Sequence, residues 1–195
     1  MLAGECVCAG LSVALVYARR YYKLVTEPDL SFELRRITAD DWELAKCVRL
    51  AALADAPDAF ARTLAEELAF PEALWRERAA GNAEGVASVG FFAMRAGVPC
   101  GMAVGVRAPL TGPVELNALW VAGNVRRHGV GRALVNAVCA WAYERGAREV
   151  ALEVTTSSAL ALALYRELGF VHTGAAANGC GTRRAPALRM SKSLA

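Results

Sequence analysis

Three arginines, a histidine and two closely spaced glycines crowd one stretch of the chain, Leu119-Trp120-Val121-Ala122-Gly123-Asn124-Val125-Arg126-Arg127-His128-Gly129-Val130-Gly131-Arg132-Ala133-Leu134. An apolar strand pattern runs into it and a long helical pattern leaves it. Such a loop turns several backbone N–H groups toward one point at the positive end of a helix, and glycines let a ligand come close to the backbone. Arg126, Arg127 and Arg132 add positive charge at the same place. These residues suit a phosphate or diphosphate. A tight strand-to-helix turn with solvated arginines is the plainer reading of the same residues.

Other phosphate-binding loops are tested by spacing. A P-loop ends in Gly-Lys-Ser/Thr, whereas Gly131 is followed by Arg132-Ala133, so that chemistry is excluded. A dinucleotide loop needs a third glycine where Leu134 stands. It keeps one attraction, since Glu153 lies about 20 residues on, near the end of the next strand, where a ribose-binding acid would sit. The insertion of Gly123 to His128 between strand and first motif glycine makes it the weaker alternative.

The elements that must position this loop follow from periodicity. Phe32 to Ile37 roughly alternates and predicts a strand. Thr38-Ala39-Asp40-Asp41 offers a cap to a helix of about fourteen residues, which Ala56-Pro57-Asp58 ends. A second helical stretch covers Ala59 to Ala69, and Pro71 starts another carrying Trp75. Strands follow over Val86 to Arg95, Gly101 to Arg107 and Val114 to Val121, with turns at Ala96-Gly97-Val98-Pro99 and Ala108 to Pro113. Gly129 to Arg145 is a long amphipathic helix. A strand over Glu149 to Thr155, a helix over Ser158 to Leu168 and strands over Phe170 to Gly174 and Ala187 to Leu194 complete the order β-α-α-β-β-β-α-β-α-β-β. This is a mixed α/β domain.

Arg126-x-x-Gly129-x-Gly131 after an apolar strand resembles the acetyl-CoA signature of the GNAT superfamily of N-acyltransferases, Gln/Arg-x-x-Gly-x-Gly/Ala. Downstream, Ser158 to Phe170 is similar to the family's second signature, with Ala161, Leu164, Tyr165, Leu168, Gly169 and Phe170 all in place. The resemblance covers about four-fifths of the chain, from Phe32 to Leu194. Two departures stand out: the family's usual Asn is Ser158, and the Pro often found in the loop is Gly123. The resemblance implies a GNAT-like fold, a mostly antiparallel, splayed central sheet flanked by helices. It also implies acetyl-CoA as cosubstrate, with no metal, and direct acetyl transfer to an amine in a ternary complex.

Carried over by position, the cofactor-binding residues are Leu119, Trp120, Val121, Arg126, Arg127, His128, Gly129, Val130, Gly131, Arg132, Ser158, Ala161 and Tyr165. Backbone groups of Leu119 and Val121 would hold the pantetheine arm, and the Val121 N–H would polarise the thioester oxygen. Tyr165 falls at the general-acid position, able to protonate a departing thiolate; its plain alternative is a core aromatic. Strand alternation places Glu115 on one face with Asn117, Leu119 and Val121, as a base looking along the cofactor channel or an ordinary salt-bridged carboxylate. Glu66 and Glu67, in the helical pair bordering the acceptor, would attract a cationic amine or merely form a solvated face. Trp42, Trp75 and Trp120 read as core and His172 as structural. The expected acceptor is a small-molecule amine such as an antibiotic, polyamine or amino acid. A protein N-terminus or lysine, and a non-catalytic acyl-CoA-binding module, are the alternatives. A homodimer is expected by analogy alone.

Composition bounds this reading. The chain has 195 residues, 55% of them hydrophobic and 21% charged, which suffices for one sizeable core. A net charge of +3 does not call for nucleic acid. Two histidines without a Cys-x-x-Cys pair leave little for zinc. Six mostly scattered cysteines suit reduced thiols in the cytoplasm better than a disulfide framework. Residues 1–30 read as an extension outside the core domain 31–195; the apolar run from Cys6 to Ala18 is short for a span, though it could contact a membrane surface.

Overall fold

A computed structural model describes residues 31–107, 112–175 and 186–194. The expected extension, with Cys6 and Cys8, lies outside the described residues, as do Cys180 and most of the turn expected at Ala108 to Pro113. Strand β1 spans Glu33–Arg36, and a single 3-10 turn, Ala39–Asp41, leads into α1, Trp42–Asp55. A second 3-10 turn at Pro57–Ala59 precedes α2, Leu64–Leu68, and α3, Glu72–Glu84. The helical stretch expected over Ala59 to Ala69 contains a five-residue α-helix. Thr63 starts it late, because its hydroxyl accepts from the Glu66 N–H while Glu66 Oε2 accepts from the Thr63 N–H at 2.6 Å, a reciprocal cap.

Strands β2 (Ser88–Arg95), β3 (Val98–Val106) and β4 (Val114–Val121) come next, then α4 (Val130–Glu144), β5 (Glu149–Thr155), α5 (Ala159–Glu167), β6 (Val171–Ala175) and β7 (Ala187–Ser193). The β2–β3 turn is tighter than its four-residue expectation. Arg95 pairs directly with Val98, and both Ala96 and Gly97 adopt positive φ, the form that matches hairpin twist.

Among the described residues seven strands form one sheet in the order β1-β2-β3-β4-β5-β7-β6. Every pairing is antiparallel except β4–β5, and that one is confined to Val114↔Val150 and Glu115↔Ala151. Beyond Glu115 the two central strands are no longer paired.

Strand β4 carries one extra residue at the same level. Asn117 faces Val104 and Trp120 faces Met102, so three steps on β4 match two on β3, and Ala118 takes φ 53°. The extra residue exchanges the faces. Leu116 lies opposite Gly105 and Val121 opposite Gly101, two glycines that abut α4. Glu115, Asn117 and Trp120 sit on the other face, with α1. The expected sharing of one face by Glu115, Asn117, Leu119 and Val121 is thus corrected: the bulge separates Glu115 and Asn117 from Val121.

Helix α4 buries Leu134, Val135, Val138, Trp141 and Ala142 on the first face. It can lie this close because β3 offers no side chain there. A Cβ on Gly105 would stand 2.8 Å from Val138 Cγ1 and 3.2 Å from the Trp141 ring. On the opposite face Val48, Ala52 and Leu53 of α1 and Trp75 and Ala79 of α3 are buried. Cys47, Cys100 and Cys139 are free thiols, the last two buried.

Candidate functional site

The parting of β4 from β5 exposes backbone. Val121 and Gly101 form a pair whose flanking bond runs from the Ala122 N–H to Cys100 O at 2.9 Å. That is the non-hydrogen-bonded kind of antiparallel pair, in which both N–H and C=O point away from the partner strand. The Val121 N–H therefore faces the side that β5 has left, and a ligand lying in the gap would meet it.

Past Val121 the chain makes a 3-10 turn at Gly123–Val125 and enters α4 through Gly129, which has φ 83° and open space where a Cβ would stand. This fifteen-residue helix has a glycine N-cap, no side-chain cap bond and no acidic residue in its first turn. Its first amides, the positive end of the helix, are left for an acceptor from outside. Both features fit an anionic ligand that reaches from the gap to the start of α4. Gly131 keeps α5 close: a Cβ there would lie 3.1 Å from Leu164 Cδ2.

The loop cations divide. Arg126 faces inward: its Nε donates to Val121 O at 2.8 Å and its Nη2 to the Asp55 carboxylate. These contacts tie the loop back to β4 and to α1. Arg132 reaches Glu167 of α5 at 2.7 Å, with both side chains about half exposed, so water screens the pair. Arg127 takes φ 68° and is exposed, as is His128. Val130 is buried, and Leu119 and Val121 are half-buried. Trp120 is buried as expected of a core residue, and its Nε1 donates to Asp55 Oδ2 at 2.9 Å.

Tyr165 lies on the buried side of α5, 6% exposed, its ring edge-on to Phe170 at 5.6 Å. Burial pushes its phenol well above the ordinary value, so the proton stays on. Ser158 heads α5 without capping it through its side chain, and Ala161 is half-buried beside the core. Glu115 stands at the last β4–β5 pair, at the vertex of the gap. Arg189 of β7 reaches across β5 to it, Nη2 to Oε1 at 2.5 Å. No spacing in the sequence pointed to Arg189. Asp55 had one overlooked signal, an acidic residue at a helix C-terminus, where the dipole disfavours it.

Neither acid expected to attract an amine is free to do so. Glu66 is spent on the Thr63 cap. Glu67 is 1% exposed and sealed by Arg49, whose Nη2 reaches Oε1 at 2.7 Å, and by Arg78 at 3.6 Å from Oε2. The solvated-face alternative fails for Glu67 as well. Arg49 stacks over Phe60 at 4.5 Å and Arg78 over Phe70 at 4.9 Å, which completes a cationic–aromatic cluster between α1, α2 and α3. Among the described residues no three His, Cys, Asp or Glu gather where a metal could be held, and no helix is long and apolar enough to cross a membrane.

Known proteins share this architecture. The Acetyltransferase (GNAT) family matches residues 50–170. The human N-acetyltransferase 8 is 39% identical over 61 residues, which are 31% of this chain and 27% of that protein, so the match spans about a quarter of the relative. The crystal structure of a nourseothricin acetyltransferase is 33% identical, with a TM-score of 0.51, over 56% of this chain and 66% of its own. An acetyltransferase structure from Salmonella typhimurium with its cofactor acetyl-CoA superposes with a TM-score of 0.63 at 19% identity, over 85% of this chain and 95% of that one.

Proposed function

The chain belongs to the GNAT family of acetyltransferases, and on that premise we propose that it moves an acetyl group from acetyl-CoA directly to the amine of a small molecule. Bound acetyl-CoA supplies an activated thioester. The observation that carries the reading is the Val121 N–H turned into the gap between β4 and β5. A fixed backbone donor there would stabilise charge developing on a carbonyl oxygen. The uncapped amides of α4, with Arg127 and Arg132 beside them, would hold the diphosphate.

Two proton movements complete the transfer as the C–N bond forms and the C–S bond breaks. Tyr165 Oη would give a proton to the departing sulfur, a role open to a phenol, which carries its proton at neutral pH. Glu115, held at the vertex of the gap by its ion pair with Arg189, would take the proton from the incoming amine, directly or through water. The likeness to a nourseothricin acetyltransferase supports a small-molecule acceptor. A cytoplasmic setting, in which Cys47, Cys100 and Cys139 stay reduced, belongs to the same proposal.

Thermal shift with acetyl-CoA and with NAD tests the cofactor: stabilisation by acetyl-CoA alone is expected, and stabilisation by NAD alone would overturn the reading. Thiol release across a panel of antibiotics, polyamines, amino acids and peptides tests the reaction. Turnover with a small amine is expected. Turnover on peptides only would move the acceptor to proteins, and binding without any turnover would leave a non-catalytic module.

A further inference from the structure

Asp55 closes α1, a helix with no basic residue in its last turn to offset a carboxylate at the negative end. Two donors from outside the helix converge on its Oδ2 instead, the Trp120 indole at 2.9 Å and the Arg126 guanidinium. The same guanidinium donates through Nε to Val121 O at 2.8 Å, while the amide on the other side of that peptide unit, Ala122 N–H, is held by Cys100 O at 2.9 Å. The Val121–Ala122 peptide is thus gripped at both ends. Of the two grips, the one on the cofactor side depends on Arg126, and Arg126 is aimed by Asp55.

We propose that Asp55 is a positioning residue for the acetyl-CoA site, acting through Arg126 to fix the backbone at Val121 and the start of the diphosphate loop. The inference rests on the acetyl-CoA reading above and adds a residue from the acceptor-side helix to the cofactor's support. Geometry gives the direction of the effect. A guanidinium has five N–H donors in a rigid fork, so it can serve a carboxylate and a carbonyl at once. Without the anion it is free to turn to water, and Val121 O loses its donor. The loop from Ala122 to Gly129 then keeps the Ala122 bond to β3 but loses its tie to α1. Asp55 is an exposed residue, so its replacement buries no new group. An asparagine there can still accept from Trp120 while offering Arg126 no charge.

The test is isothermal titration of acetyl-CoA into the full chain and into Asp55→Asn, Arg126→Gln and the double variant, with thermal unfolding of the same samples. Each single variant should weaken acetyl-CoA binding about two- to fivefold, the size of one partly exposed ion pair. The double variant should lose no more than either single one, because the two side chains act as a unit. Unchanged affinity in Asp55→Asn, or losses that multiply in the double variant, would overturn the positioning role. A shift in unfolding temperature without a change in affinity would also overturn it and leave Asp55 structural. If the unaltered protein fails to bind acetyl-CoA, it is the functional reading that falls, and the two failures are told apart.

Discussion

Glu67→Gln is the substitution whose effect the structure fixes most firmly. The carboxylate is 1% exposed and meets Arg49 through three contacts of 3.1, 3.1 and 2.7 Å, with Arg78 at 3.6 Å. An amide of the same shape keeps the packing and removes the charge, which leaves guanidinium groups facing a neutral side chain. Breaking a buried pair by removing one partner costs about 3–5 kcal/mol. The Arg78 side chain is 39% exposed and can turn to water, whereas Arg49 is 13% exposed and cannot. The lower end, about 3 kcal/mol, is therefore expected. For a domain of this size that corresponds to a fall of roughly 6–12 °C in Tm. Urea unfolding with matched m-values, followed by circular dichroism, measures it. A loss below about 1 kcal/mol would refute the claim that this ion pair clamps α2 to α1 and α3. A raised acceptor KM in a variant of undiminished stability would return Glu67 to the role of amine receptor.

Three further outcomes are expected. Tyr165→Phe should lower kcat by roughly 10²–10⁴-fold with acetyl-CoA affinity unchanged, read by thiol release and titration; an unaltered rate would remove the phenol from proton transfer. At Asp41 burial alone would push the carboxyl up, yet the hydrogen bonds from Arg35 and Thr38 outweigh it and hold the group at about 2 rather than 3.8. Its depressed value makes this contribution complete above the unfolded value and lost as pH falls through about 2, so Asp41→Asn should flatten the urea midpoint between pH 5 and 2. Gly105→Ala drives a methyl to 2.8 Å from Val138 Cγ1 and should cost about 1–3 kcal/mol; a neutral result would mean that α4 does not rest on β3 as described.

Local signals were the legible ones. β4 and β5 span Val114–Val121 and Glu149–Thr155, the expected limits, because alternating apolar residues and flanking turns declare themselves within a few positions. The long amphipathic run of α4 was equally plain, although Gly129, expected as its first residue, stands just outside it as an N-cap with φ 83°. What stayed hidden depends on partners far along the chain. The bulge at Ala118 is a property of two strands in register, and alanine gives no hint that it will adopt φ 53°. Glu67 looks like any helix-surface acid until Arg49 and Arg78 arrive from the neighbouring helices. Arg189 lies 74 positions from the Glu115 that it meets. Asp55 finds Arg126 and Trp120 71 and 65 positions away.

The single extra residue in β4 joins these hidden contacts to the visible motif. By exchanging the strand's faces it sends Trp120 toward α1, where its indole meets Asp55, and turns Val121 toward α4 and the glycine-rich loop. Without it, unbroken alternation from Glu115 would put Trp120 on the α4 face, away from Asp55. The bulge occurs at the level where pairing with β5 has ceased, after Glu115, so the twist it adds and the opening of the gap act on the same stretch. A substitution that restored regular pairing there, such as deletion of Ala118, would reverse the faces of either Glu115 and Asn117 or Trp120 and Val121. Acetyl-CoA binding should then be lost even if the remaining core still folds, and retained binding in a folded Ala118 deletion would show that the bulge has no part in building the site.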